Sequence, residues 1–568
     1  MKSVKNPFES LELKKSFSLH NIEQYKERLE VLVDFPVSTK DNLLSFFDAK
    51  DELDKLYENE ACEAYFLKTI DISNDDYKNR FEFFNQEITP VYQDYREKLD
   101  RKVLSSPELE KLGDKYSILK RNIVNDLELF NKDNIDLEKQ MNKISSEITE
   151  IQGGLTGLWE GEELPLTLIY PYMKDANRET RKKAYEIVRK AKLEVFDSID
   201  SRFDQLLDLR NQIAKNSGFD NYIDFRFKEM RRFDWGRSDC HKFHAAIKKH
   251  IIPLAKLMAS QKKENLSLDS YKYYDTGVDH EGREPLRIYE KGDTSSFIEG
   301  TGKIIKAIDD ELYGYFKRIR DNNLLDLDAR KNKAPGGYMC RYPIYELASV
   351  FYGGSGLSHD LMVLLHELGH CFHYFLGKDV KPQTLQEWSA EVAEGGSMSM
   401  EYIGLENMHE YLDEESCKRI KDNKLRSVIR LLISCSMGDE FQHWLYEHPG
   451  HSSEERQMKY RELSNEYYSE VDQCGQEEIV GKTGWQYMHI LQAPFYLIDY
   501  SISELLALSV WDSYKRSPEL GLKYYKEGCS LAASKSVPEI YKAFGTTLNF
   551  SEEAIKPLAE RLKSELNL

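Results

Sequence analysis

The residues best placed to do chemistry are His366, Glu367 and His370, which stand as H-E-L-G-H inside the apolar string LMVLLHELGHCFHYF. In a helix, positions four apart lie one above the other, so both imidazoles can face one metal ion from a single element. Glu367 projects at a different angle from the histidines, which suits a base acting on water beside the metal better than a ligand. Two neutral imidazoles and one carboxylate would leave the fourth position of a zinc ion open to water, as catalytic zinc requires; four thiolates would point to structural zinc instead. Zinc lowers the pKa of its water from about 16 to about 7, and Glu367 could take the proton as the hydroxide attacks a carbonyl and pass it to the leaving group. The chemistry implied is metal-assisted hydrolysis.

A third ligand must come from elsewhere, and the segment EWSAEVAEGGSMSMEYIG supplies Glu387, Glu391, Glu394 and Glu401. Several of these share one helical face, so spacing alone does not choose among them. His373 falls about one turn beyond His370 and reads as packing or as support for a ligand.

HELGH, followed 24 residues after His370 by EGGSMSME, resembles the thimet oligopeptidase and oligoendopeptidase F family of metallopeptidases. In that family the third ligand opens an E-x-x-S-x-x-x-E segment, which implies Glu394 as zinc ligand, Glu401 as a residue that hydrogen-bonds a ligating histidine, and Glu391 as the fallback. The C-terminal string HILQAPFYLIDYSISEL resembles the family's His and Tyr segment lining the cleft opposite the zinc. That likeness gives His489, Tyr496 and Tyr500 the role of stabilising an oxyanion. DANRETRKKAYE and DLDARKNKAPGGYMCRYP extend it to roughly residues 165–515, while YGGSGLSHD departs from the Asn-rich loop of relatives.

The resemblance implies a mainly α fold: a large two-lobed helical body with a deep substrate channel and a small β-sheet beside the zinc helix. It implies one zinc ion per chain and a zinc-dependent endopeptidase acting on internal bonds of short peptides, which could pair with an extended strand at Gly336–Tyr345. Two alternatives stand beside it. A zinc carboxypeptidase or dipeptidyl carboxypeptidase would need a cation for the substrate's terminal carboxylate, with Arg341 nearby in sequence. A non-catalytic peptide-binding protein would have no need of Glu367.

The elements that must position these residues are helical. From about Leu11 to Ile151 amphipathic stretches run almost without Gly or Pro, and Pro107 to Ile151 reads as a long helical hairpin. Gly153, Gly154, Gly157 and Gly161 break the pattern, LPLTLIYPYM reads as a short strand or loop, and helical periodicity resumes from Asn177 through Leu312. YMCRYPIY, after Gly336 and Gly337, is the most plausible strand. A boundary near residue 195 would separate an N-terminal helical lobe (1–195) from the catalytic domain (196–568). The acidic cluster around His280 lacks the pattern of a calcium loop and reads as a solvated turn.

Composition is that of a folded globular chain, with 40% hydrophobic and 31% charged residues. A net charge of −19 excludes nucleic acid and anionic membrane as natural partners, because the average surface repels phosphate. The N-terminus lacks the apolar core of a signal peptide and no stretch reads as a membrane span, so a cytoplasmic location is expected. The eight cysteines are scattered without a C-x-x-C pair, as reduced, structural thiols would be. The sequence sets no oligomeric state.

Overall fold

The computed structural model describes every residue except 1–5, 10, 12, 13, 291 and 474. Cys474 and the first residues of the N-terminus thus lie outside the described residues, and the other seven cysteines are free thiols. The chain is mainly helical, as expected, and its described residues form two small sheets where one was expected. None of the described helices is long and apolar enough to cross a membrane.

The expected hairpin over Pro107–Ile151 contains two helices, Asp114–Leu129 and Ile135–Gly153, separated by a 3₁₀ turn at Lys132–Asn134. Asn131 starts that turn by accepting the N–H of Asp133. The segment LPLTLIYPYM differs from the strand or loop expected of it. Strand β1 (Thr156–Trp159) pairs antiparallel with β2 (Glu162–Pro165), but β2 ends at Pro165, and Leu166–Ile169 is a helical turn that runs into a 3₁₀ turn at Tyr170–Lys174. Leu166 and Ile169, three apart, both pack into a small core around Trp159, which only helical spacing allows. The β1–β2 connection is a two-residue turn with Glu160 at φ 52° and Gly161 at φ 92°, the left-handed pair that matches strand twist.

The chain packs as two compact units, each assembled from three separate stretches. The first comprises residues 1–127, 286–417 and 503–548. Its sheet has the order β3-β5-β4, with β3 (Leu325–Asp328) parallel and β4 (Gly337–Tyr342) antiparallel to the central β5 (Leu347–Gly354). The expected strand is β4, and Met339 lies opposite Val350 in the register. Leu347 to Phe351 are all buried, as befits a central strand covered on both faces. The helix bearing the H-E-x-x-H motif packs on β4 and β5, so the sheet does lie beside it.

The second unit comprises residues 128–285, 418–502 and 549–568. Here the segment expected as a solvated turn near His280 is partly interior. Asp275 is fully buried and accepts hydrogen bonds from Arg178 and Arg181, which offset the cost of removing its charge from water.

Candidate metal centre

The motif occupies a single helix, Ser358–Gly377, whose Leu361, Leu364, Leu365, Leu368, Phe372 and Phe375 form the buried stripe. Its start is fixed by Asp360, a buried carboxylate in the first turn. Asp360 accepts the backbone N–H groups of Ser355 and Gly356, both at 2.7 Å, and the hydroxyls of Tyr289 at 2.6 Å and Tyr352 at 2.8 Å. A negative group at this end also complements the helix dipole. Sequence reading missed Asp360; an acidic residue in the first turn of a helix that follows a Gly-rich loop was the available signal.

A companion helix, Ala390–Glu406, crosses the motif helix at backbone contact distance. A Cβ at Gly369 would stand 2.6 Å from the Cα of Ser397, and one at Gly404 would stand 2.5 Å from Leu365 Cδ1. Glycine in a helix costs about 0.5–1 kcal/mol each, yet here it lets the two helices meet. Ser503 Oγ donates to the Glu391 carbonyl at 3.0 Å, and Tyr402 donates to Glu504, so neighbouring chain holds the companion helix in place.

That crossing brings three of the expected ligands together. Glu394 Oε2 lies 3.3 Å from His366 Nε2 and 3.9 Å from His370 Nε2, and the donor atoms of all three residues fall within 4.8 Å of one another. The two imidazoles stand nearly perpendicular, 86° apart, with centroids at 4.9 Å. His366 Nδ1 is 2.9 Å from Glu401 Oε1. With Nδ1–H donating to that carboxylate, Nε2 is the nitrogen that faces Glu394, and a cation bound there would displace its proton. Among the described residues neither Glu387 nor Glu391 joins this group. Ser397, missed from sequence, places its hydroxyl 3.3 Å from His366 Nε2 while donating to the Glu394 carbonyl at 2.9 Å. His373 is packing: its buried ring stacks on Trp388 at 4.2 Å, and neither nitrogen makes a hydrogen bond among the described residues.

The electrostatics are those of two buried imidazoles crowded by three carboxylates. Burial works against the His366 imidazolium, but hydrogen bonds to Glu394 and Glu401 prevail and hold its pKa up at about 10. Burial, then the charge of His366, pulls His370 down to about 4. Burial raises the Glu367 carboxyl to about 7; His366 opposes this, while Glu394 and Glu401 add to it. Two nitrogens and one carboxylate oxygen converging in this way suit a borderline divalent ion such as zinc, whose charge would relieve the crowding of carboxylates.

His489, Tyr496 and Tyr500 lie in the second unit, where they form a group of their own. The His489 ring is 6.2 Å from that of Tyr496 and 5.6 Å from that of Tyr500, and the two tyrosine rings are 5.3 Å apart. Burial lowers the pKa of His489. The group is held by features that sequence reading passed over. Phe495 sits at φ 64°, a strained setting for a bulky residue, with its N–H donated to Gln442 Oε1 at 2.6 Å. Arg232 binds both carboxylate oxygens of buried Asp499 at 2.8 Å and also the Phe495 carbonyl, which locks the turn between the two tyrosines.

Comparison with known proteins gives a consistent result. The model of Peptidase family M3 matches residues 171–560, and that of the Peptidase M3 N-terminal domain matches residues 15–130. The structure is similar to that of PZ peptidase A with an inhibitor, at 25% identity and a TM-score of 0.87, over 98% of this chain and 99% of that one. It is similar at 25% identity and a TM-score of 0.83 to a protein classed as oligoendopeptidase F from Bacillus anthracis strain Ames, over 97% of each chain. The oligoendopeptidase-F of Enterococcus faecium shares the fold at 15% identity, with a TM-score of 0.62 over 99% of this chain and 98% of that one. No curated protein matches.

Proposed function

The chain belongs to peptidase family M3, and from that premise we propose that it is a zinc-dependent endopeptidase hydrolysing internal bonds of short peptides. The observation that carries this reading is the convergence of His366 Nε2, His370 Nε2 and Glu394 Oε2 while Glu401 occupies the other nitrogen of His366. These three residues would hold one ion per chain. Zinc, when bound, supplies a Lewis acid that acidifies water and polarises the scissile carbonyl.

The chain's own residues do the rest. Glu367, whose carboxyl is poised near neutrality by its burial, accepts the proton of the attacking water and returns it to the leaving amine. His489, Tyr496 and Tyr500 serve as hydrogen-bond donors to the oxyanion, with His489 acting as a neutral imidazole because burial disfavours its charge. β4 is an edge strand of its sheet, which supports backbone pairing with an extended peptide and a weak dependence on side chains. Arg341 is engaged by Glu58 and by the Gln386 carbonyl, which favours internal cleavage over capture of a terminal carboxylate. The free thiols are compatible with work in the cytoplasm.

The test is cleavage of an internally quenched, end-blocked peptide of about ten residues, comparing the parent with Glu367→Gln and measuring zinc in both. Zinc in both proteins, with internal cleavage slowed by at least about 100-fold in the variant, is the expected result. A folded protein that takes up no metal would sink the reading.

A further inference from the structure

Among the described residues, histidines and carboxylates also gather outside that centre, where the helix Arg237–His250 meets the part of the helix Glu414–Glu447 that belongs to the second unit. His241 and His244 share a face of the first helix, and Asp439, His443 and Glu447, spaced by four, line a face of the other. The His443 ring lies 5.1 Å from that of His241 and 5.9 Å from that of His244. His443 is 1% exposed and walled by Phe227 and Phe495, yet among the described residues Nδ1 has no hydrogen-bond partner and Nε2 has only the long approach to Asp439. Nε2 is 3.4 Å from Asp439 Oδ2, which His244 Nε2 approaches to 2.9 Å, and Nδ1 is 4.0 Å from Glu447 Oε1.

We propose that His241, His443 and Glu447 bind a second divalent transition-metal ion of the zinc class, with Asp439 orienting His443 from behind. The donor atoms of these three residues lie within 4.8 Å of one another. A tetrahedral ion at about 2.0–2.1 Å from each needs roughly 3.3 Å between them, a contraction that side-chain rotation supplies. His241 and Glu447 are exposed, so the ion enters from solvent, while buried Asp439 accepts Nε2–H and leaves Nδ1 for the metal. With Nε2 turned to Asp439, Nδ1 is the buried nitrogen still lacking a close partner, and the ion would supply one. Arg237 is the present neighbour of Glu447 at 3.9 Å, but it has a closer partner in Asp224 at 2.9 Å. Cys240, Asp439 and His443 form a deeper set. Burial raises the Cys240 thiol well above its ordinary pKa and so keeps it protonated, and His244 already engages Asp439, which favours the outer set. An ion here would staple two long helices whose ligands are about 200 residues apart in sequence.

The experiment counts zinc per chain by mass spectrometry after equilibration with micromolar free zinc, with a melting transition recorded for every variant. The parent should hold two ions, His366→Ala/His370→Ala one, and His241→Ala/Glu447→Gln one with peptidase activity kept; combining all four substitutions should leave none. Zinc should raise the melting temperature of His366→Ala/His370→Ala and not that of the fourfold variant. No ion in His366→Ala/His370→Ala, an ion that persists in the fourfold variant, or uptake only at millimolar zinc would each overturn the proposal. His241→Gln, which keeps a polar side chain at that exposed position, should lose the same ion.

Discussion

Replacing Gly369 by alanine tests whether the helix crossing sets the metal geometry. The added Cβ would lie 2.6 Å from the Cα of Ser397, 2.9 Å from its carbonyl oxygen and 3.1 Å from Met400 Cβ, whereas ordinary contact begins at 3.4 Å. The nearest obstacles are backbone atoms that cannot rotate away, so the helices must separate by about 0.8 Å, the difference between 3.4 and 2.6 Å. Glu394 is one turn from Ser397 and would move with it, away from His366, one turn before Gly369, and His370, the residue after it. Metal–ligand distances tolerate only about 0.2 Å, so the strain falls on the site as well as the core. Overpacking of this kind costs about 1–3 kcal/mol, and misplacing a reacting group by about 1 Å costs about 100-fold in rate. Thermal unfolding without metal, competition for zinc with a chromophoric chelator, and kcat/KM at saturating zinc should therefore all fall together. The control is Gly314→Ala in the helix Asp310–Asp321, where a Cβ meets nothing within 4 Å, and it should gain up to about 1 kcal/mol from helix propensity. A Gly369→Ala protein with parental melting temperature, zinc affinity and kcat/KM would refute the reasoning.

Glu401→Gln keeps the shape but removes the charge that fixes His366, and zinc affinity measured by chelator competition should drop about 10- to 100-fold with little change in fold. Tyr500→Phe should lower kcat about 100- to 1000-fold while KM stays within a few-fold, and an unchanged kcat would remove Tyr500 from the oxyanion group. Lys262 tests the interior of the second unit. Burial, helped by Arg430 and Arg181, pushes its pKa down to about 6, against about 10.4 in the unfolded chain. The unfolded state thus holds a proton that the folded state lacks between those values, so the destabilisation is full below about pH 6 and fades as pH rises towards about 10.4. Lys262→Met should be the more stable protein near pH 7. The stability gap between the two, from urea midpoints, should narrow by up to about 1.4 kcal/mol per pH unit on going alkaline. A gap that does not vary with pH would contradict a neutral Lys262.

What could be read from the sequence was whatever helical periodicity alone controls. His366 and His370 face one way because four residues are about one helical turn, and that holds in any context that keeps the segment helical. The strand at β4, the apolar stripe of the motif helix and the excess of acidic charge are local or additive properties of the same kind. LPLTLIYPYM went the other way because Leu166 and Ile169 gain more by packing on Trp159 than the extended form suggested by the segment offers. The choice among Glu387, Glu391 and Glu394 was not local. The family resemblance pointed to Glu394, but physically the choice depends on which face of the companion helix meets the motif helix, and that face is selected by Gly369 and Gly404, where side chains would collide. The carboxylates that tune and anchor the sites, Glu401 on His366, Asp360 on its loop and Asp499 under the tyrosines, act through partners that only packing brings near. The cluster of His241, His443 and Glu447 makes the same point most simply. Its spacing along one helix is visible in the chain, but a metal site needs donors converging from two helices, and convergence between residues about 200 positions apart is a property of the tertiary structure alone.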